Sequence, residues 1–247
     1  MNAGTFTFTL LLSAVCIVST GCRSAPGKPR VTSEATRPDQ VLDFPTLYKQ
    51  NCAACHGEQG KTGAAVSLAN PVYLAVSGVD NIQRVTSAGV PGTLMPPFGQ
   101  AAGGMLTERQ VEILAHGIVS TWESPSVLAG STPPGYTSTA TGNRTRGQQA
   151  FTIFCARCHG NDGGGINANK EGQIGSIVDP AYLALVSDQS LRTAILAGFP
   201  EQHMPDWRSD VTGAGARPMT DQEITDVVAW IVAHRTATPG QPYQQHP

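Results

Sequence analysis

Two stretches decide how this chain reads: Cys52-Ala53-Ala54-Cys55-His56, followed by Gly57, and Cys155-Ala156-Arg157-Cys158-His159, followed by Gly160. Outward from them the similarity continues. Asn70-Pro71-Val72-Tyr73-Leu74-Ala75 matches Asp179-Pro180-Ala181-Tyr182-Leu183-Ala184, and Leu94-Met95-Pro96-Pro97-Phe98 matches His203-Met204-Pro205-Asp206-Trp207. Thr107-Glu108-Arg109-Gln110-Val111 then matches Thr220-Asp221-Gln222-Glu223-Ile224. The offset between copies grows from 103 to 109 to 113 residues, so loop insertions separate them. A repeat of roughly 100 residues is a duplicated domain, not a solenoid unit. Between the copies, Ser124 to Asn143 holds Pro125, Pro133, Pro134, Gly130 and Gly135, with no charge from Pro125 onward. It reads as a linker or a strap laid over the surface.

Two cysteines three positions apart with His directly after them fit covalent haem attachment. The thiols can add to the two vinyl groups along one side of the porphyrin, which leaves the His ring over the plane with a nitrogen facing iron. A redox dithiol or half of a zinc site are the competing readings. A zinc site needs four ligands, and each copy offers two Cys and one adjacent His. A redox dithiol of the thioredoxin type wants a strand–helix context, which the sequence lacks. Cys52, Cys55, Cys155 and Cys158 are therefore expected to carry thioether bonds, and His56 and His159 to be iron ligands.

An iron with one His needs a sixth ligand or stays open. Met95 and Met204 occupy equivalent repeat positions, each followed by Pro, 39 and 45 residues after His56 and His159. A lone Met is ordinarily core filling, but two repeat-matched Met-Pro pairs downstream of two such motifs read as axial ligands. His203 adjoins Met204 and competes with it, whereas copy one has Leu94 at that position. His116, His234 and His246 have no repeat partners and read as surface or helix-face residues. Met105 and Met219, at the start of the last helix of each unit, read as packing residues.

The coarse secondary structure is helical, with weak strand signals throughout. A short apolar segment precedes each Cys pair, with Phe44, Leu47 and Tyr48 in one copy and Phe151 and Phe154 in the other. Asp43 can cap the first, with Pro45 tolerated in its opening turn. Middle helices are predicted at Asp80–Ala88 and Asp188–Ala197, the latter stopped by Gly198. The last helix of each unit opens with a capping box, Thr107 with Gln110 and Thr220 with Glu223. Val111, Leu114, Ala115 and Ile118 then share one face, as do Ile224, Val227, Val228 and Ile231.

Residues 1–21 carry no charged side chain, and Leu10 to Val18 form an apolar core of the length expected for an export signal. Ser19-Thr20-Gly21-Cys22 resembles a bacterial lipobox, with Ser19 where a Leu-like residue is usual, so Cys22 is the candidate lipidation site. Two or three acyl chains on one residue hold a protein stably at a membrane. The Pro-, Ser- and Thr-rich stretch after Cys22 reads as an extended tether. The expected organisation is a signal peptide at 1–21, lipidated Cys and tether at 22–40, and a first domain at 41–124. A linker at 125–143, a second domain at 144–237 and a tail at 238–247 follow. Only 14% of the 247 residues are charged and the net charge is −2, which argues against a nucleic-acid binder. Beyond the amino-terminal segment no apolar run is long enough to span a bilayer.

With the Cys-x-x-Cys-His motifs, the Met-Pro pairs and the amphipathic closing helices in place, both units resemble class I cytochrome c domains. The tandem arrangement is similar to dihaem cytochromes of the c4 type, over nearly everything from Leu42 to Arg235. The resemblance implies an all-α fold, two tandem domains each a small helical bundle around a covalently bound haem c, with His and Met as axial ligands. The family often places a Pro after the haem motif whose carbonyl receives the His ring N–H. Gly63-Ala64-Ala65-Val66-Ser67-Leu68 and Gly172-Gln173-Ile174-Gly175-Ser176-Ile177 lack it, so sequence does not say which carbonyl orients His56 or His159. Such domains also often carry an aromatic on the closing helix. Trp230 fits in copy two, while copy one has Gly117 there.

Two filled axial positions favour electron transfer over catalysis, and a thioether ligand raises the potential. The expected function is a lipid-anchored dihaem carrier on the periplasmic side of a bacterial membrane. It would pass single electrons between a quinol-oxidising complex and a terminal oxidase, a reductase or a photosynthetic reaction centre. A fixed subunit of a larger respiratory complex is the alternative. A dihaem peroxidase or sulfur-compound dehydrogenase is a third reading, for which Glu201, His203 and Asp206 could serve as acid/base groups. Loop and closing-helix differences predict unequal potentials for the two haems. Lys28, Lys49, Lys61 and Lys170 are the whole lysine complement. Partner contact is therefore expected through apolar residues such as Pro96, Pro97 and Phe98.

Overall fold

The structure, a computed structural model, describes residues 36–63, 65–166, 174–213 and 216–236. The expected export signal, Cys22, most of the tether, Lys170, the tail and His246 lie outside the described residues. Two compact units are distinguished, residues 1–40 and residues 41–247. Of the first, the described part is a 3-10 turn at Pro38–Gln40 with Arg37 beside Asp39 at 3.7 Å. Both repeat copies lie within the second. Among the described residues no helix is long and apolar enough to cross a membrane, and β-structure is limited to isolated bridges.

Copy one opens with α1 (Phe44–Asn51), where the Asp43 carboxylate accepts from the Thr46 amide and Pro45 occupies the first turn. Cys52 ends α1 and begins the single turn α2 (Ala53–His56). The segment α3 (Pro71–Ala88) starts nine residues before the predicted Asp80 and is interrupted at Gly78, at φ 73° and ψ 159°. The missed part, Pro71 to Ser77, is helical because Asn70 caps it and Pro71 is tolerated in its first turn. The closing helix α4 (Glu108–Trp122) has the predicted Thr107–Gln110 capping box, and Val111, Leu114, Ala115 and Ile118 are buried.

Copy two repeats the order with α5 (Arg144–Phe154), α6 (Ala156–His159), α7 (Pro180–Leu185), α8 (Asp188–Ala197) and α9 (Asp221–Val232). Here the break between α7 and α8 is complete. Helix α8 has the predicted bounds, capped by Ser187 and ended by Gly198. Helix α9 carries the Thr220–Glu223 box and buries Ile224, Val227, Val228 and Ile231. In each copy the first and closing helices pack together, α1 on α4 and α5 on α9.

Each copy has its own apolar core, and the two cores trade residues. Val72 of copy one is buried in the core of copy two, and Ala197 of copy two in that of copy one. Segment 124–143 is a strap held by side chains of copy two. Arg192, 5% exposed, donates through Nε to Tyr136 O (3.1 Å) and through Nη2 to Gly135 O (2.6 Å), and pairs with Asp221. Arg208 reaches Val127 O at 2.7 Å and Gln222 reaches Thr141 O at 3.1 Å. The Tyr136 ring meets Tyr73 edge-on at 6.5 Å.

Met219 is buried as expected, but Met105 is not a packing residue: it is 83% exposed. The chain turns at Gly103 and Gly104 and places Leu106, not Met105, in the core.

Candidate functional site

Each Cys-x-x-Cys-His motif occupies one helical turn at the end of the first helix of its copy. The amides of Cys55 and His56 both donate to Cys52 O, at 3.2 and 3.0 Å. Those of Cys158 and His159 both donate to Cys155 O, at 3.1 and 3.0 Å. The two turns are therefore built alike, with both sulfurs and the imidazole of a copy projecting from one short segment. None of these four cysteines is in a disulfide; Cys52 is buried, Cys155 and Cys158 are half-buried and Cys55 is exposed. Burial, with the neighbouring Cys55, pushes the Cys52 thiol up to about 12, and burial with Cys158 does the same to Cys155. Before any thioether bond forms, Cys52 and Cys155 are thus thiols, not preformed thiolates, at neutral pH.

His56 is buried, and its Nδ1 lies 2.8 Å from Val66 O. That contact settles which carbonyl orients the first imidazole, with the loop backbone at Val66 taking the place of the absent Pro. It fixes the ring and leaves Nε2 for another partner. Burial lowers the His56 pKa, opposed by the Val66 carbonyl. Burial lowers that of His159 as well. The neutral imidazole required of an iron ligand is thus the favoured form in both copies. His159 Nδ1 is buried without a hydrogen-bond partner among the described residues.

Met95 and Met204 sit in loops that fold back on the end of the preceding helix. Gly89 ends α3 at φ 70°, ψ −173°, and Gly198 ends α8 at φ 64°, ψ −176°. Only glycine adopts this region without strain. A Cβ at Gly89 would lie 2.8 Å from Met95 O, and one at Gly198 would lie 2.6 Å from Met204 O. The Val90 amide donates to Met95 O at 3.0 Å. Phe199 and Met204 exchange two backbone bonds, at 3.0 and 3.1 Å, across a short loop. Both methionines are half-buried, while His203 beside Met204 is exposed.

The residues present fit a covalently held haem. Each copy offers two cysteines and an imidazole on one turn, buried at His56 and half-buried at His159, and a thioether on a loop closed against the middle helix. Copy two also buries Trp207 Nε1, an N–H donor without a partner among the described residues. A buried orphan donor is what remains when its acceptor is not part of the polypeptide. Among the described residues no three His, Cys, Asp or Glu side chains converge as a metal site.

Residues 145–235 match the family model described as cytochrome c, and residues 39–116 match that of cytochrome c oxidase, cbb3-type, subunit III. The chain carries two tandem cytochrome c domains. With them come two covalently bound haem c groups, one per domain. Among curated proteins the chain is 26% identical over 155 residues to the cbb3-type cytochrome c oxidase subunit FixP of Sinorhizobium medicae, covering 59% of this chain and 47% of that protein. It is 27% identical over 143 residues to subunit FixPc of Rhizobium leguminosarum bv. viciae, covering 54% and 44%. The chain thus spans about half the length of the curated relatives it matches. A solved chain of the Kuenenia stuttgartiensis reducing HAO-like protein complex superposes with a TM-score of 0.44 at 17% identity, over 82% of this chain and 100% of that one. A score that low does not establish a shared fold.

In the two cytochrome c domains, Trp122 was not singled out by sequence. Trp122 packs edge-on to Tyr48 at 5.1 Å, as Trp230 packs on Phe151 at 4.3 Å. The first domain therefore does have a closing-helix aromatic, displaced to the helix end because Phe44 fills the space beside Gly117. Leu94 is 96% exposed and, with Pro96 and Pro97, forms an apolar rim next to Met95. Phe98 is half-buried against the core and shapes the loop instead. Asp206 is bonded to Arg208, so of the suggested acid/base trio it is the one committed to a structural pair.

Proposed function

We propose that this chain is an electron carrier in which Cys52 and Cys55 hold one haem and Cys155 and Cys158 the other. His56 and Met95 are the axial ligands of the first iron, and His159 and Met204 those of the second. The observation that carries the reading is repetition: the same turn of two thiols and imidazole, and the same glycine-seated Met loop, occur in both domains. Haem so ligated supplies a one-electron ferric/ferrous couple whose potential the thioether raises. The protein's part is to keep the ligands in place. The Val66 carbonyl holds His56, and the backbone bonds to Met95 and Met204 keep each loop closed.

In this reading the chain is exported and anchored through Cys22 on the periplasmic side of a bacterial membrane, with residues up to 40 as a tether. Its partners are a quinol-oxidising complex on one side and a terminal oxidase, reductase or reaction centre on the other. The rim of Leu94, Pro96 and Pro97 offers the small apolar contact that transient electron-transfer encounters use. A second reading, a fixed subunit of a respiratory oxidase complex, is favoured by the cbb3 subunit model over residues 39–116 and by the names of both curated relatives.

Purification from native membranes tests both. Two covalent haems per chain, a thioether-to-ferric-iron charge-transfer band from each, no carbon monoxide binding as isolated and an acylated Cys22 by mass spectrometry are expected. Stoichiometric oxidase subunits in the same preparation select the second reading. Carbon monoxide binding at either iron, with peroxide turnover, overturns both.

A further inference from the structure

The amide of Asn70 is 4% exposed and joins the two domains. Its Oδ1 accepts from the Val72 and Tyr73 amides, at 2.9 and 3.2 Å, and so caps α3 of the first domain. Its Nδ2 donates to Ala197 O at 3.0 Å and Gly198 O at 3.3 Å, the last carbonyl of α8 in the second domain and that of its C-cap. A helix leaves its final carbonyls without internal partners, and here the partner comes from the other domain. Gly198 is also the residue on which the Met204 loop is seated, and its neighbour Phe199 exchanges both backbone bonds with Met204. A continuous path of hydrogen bonds and close contact therefore runs from Asn70 through Gly198 and Phe199 to Met204.

The path is one-way. The repeat-equivalent residue in the second domain is Asp179, which caps α7 through the Tyr182 amide but carries no N–H to donate to a carbonyl. The Gly89 seat of the Met95 loop thus receives no matching brace from Asp179.

We infer that Asn70 is a positioning residue for the second iron site, acting across the domain boundary through Gly198 to hold Met204 closed. The inference rests on Met204 being the axial ligand. N70D keeps the capping acceptor, as Asp179 does in the second domain, and replaces the donor with a carboxylate oxygen that faces the two carbonyls. N70S, uncharged and with a capping hydroxyl too short to bridge, is the second variant.

Each is placed in an M95A background, where the remaining thioether–iron band belongs to the second domain, and in an M204A background, where it belongs to the first. The band is then titrated with imidazole as the displacing ligand. In the M95A background the affinity for imidazole is expected to rise about tenfold, the change that one lost buried hydrogen bond corresponds to, and the second haem's potential to fall. In the M204A background neither is expected to move. Equal changes in both backgrounds, or none in the M95A background, overturn the inference. If M95A and M204A do not each remove one band, the ligand assignment itself has failed. In the unsubstituted protein the Phe199 and Met204 amides are expected to exchange hydrogen more slowly than the Val90 amide. Equal rates there also overturn the inference.

Discussion

Phe44 is seated against Gly117: a Cβ on the glycine would lie 2.1 Å from the ring's Cδ2. In the second domain the sizes are exchanged between the same two helices. Gly147 stands where Phe44 does and Trp230 where Gly117 does, and a Cβ on Gly147 would lie 2.0 Å from Asp226 O and 2.9 Å from Trp230 Cβ. G117A is expected to destabilise the haem-loaded protein by about 1–3 kcal/mol through overpacking. F44A in the same chain should return part of that loss. G147A should cost at least as much, and no side-chain truncation should rescue it, because the obstacle is backbone. Denaturant midpoints of the single and double variants check this.

Acid should loosen the second domain first. Glu223 accepts from Arg217 at 2.6 and 2.8 Å and from the Thr220 amide at 2.9 Å. The Arg217 bonds lead in holding its carboxyl down at about 2, against an ordinary 4.5. A lowered folded-state pKa stabilises fully above the unfolded value and is lost as pH falls toward the folded one. The advantage of wild type over E223Q is therefore present at pH 7 and should shrink between about 4.5 and about 2. The first domain has uncharged Gln110 at this position and should show no such dependence on its cap. Thermal melts of both proteins across that range measure it.

Removing the guanidinium of Arg192 should free the strap. R192M leaves the Gly135 carbonyl without its donor and takes the charged partner from Asp221, while Tyr136 O keeps Gln189 and Asp221 keeps Ser138. The expected cost is about 2–4 kcal/mol. Limited proteolysis should then cut within 125–143 faster than it does in the parent.

Each thioether should report on one iron alone. M95A and M204A are each expected to abolish half of the charge-transfer absorbance and to open one iron to carbon monoxide. One of two potentials should fall on the order of 0.1 V, within the roughly 0.8 V range that axial ligation commands. Spectroelectrochemistry of each variant decides it; loss at both irons from one substitution would contradict the assignment.

Much of this was legible because it is local. The Cys-x-x-Cys-His turns, the Asp43 cap, both capping boxes and the buried stripes of the closing helices depend on spacings of three or four residues, and the structure has all of them. What escaped depends on distant pairings. Asn70 bonds to a carbonyl 127 residues away, and nothing in its neighbours signals that. The Val66 carbonyl replaces a missing Pro through the path of a loop. The displacement of the first domain's aromatic to Trp122 follows from Phe44, on a helix more than 70 residues earlier. Met105 looked like a core residue by type, and the backbone turn at Gly103 and Gly104 sends it to solvent.

A chain that contains the same domain twice runs the danger of joining halves that do not belong together as it emerges and collapses. The exchanged sizes at the helix crossings guard against this. Were α1 to meet α9, Phe44 and Trp230 would compete for one space; were α5 to meet α4, Gly147 and Gly117 would leave a hole. Wrong partnerships are thus either crowded or hollow, and each newly made helix has a steric reason to wait for its own mate.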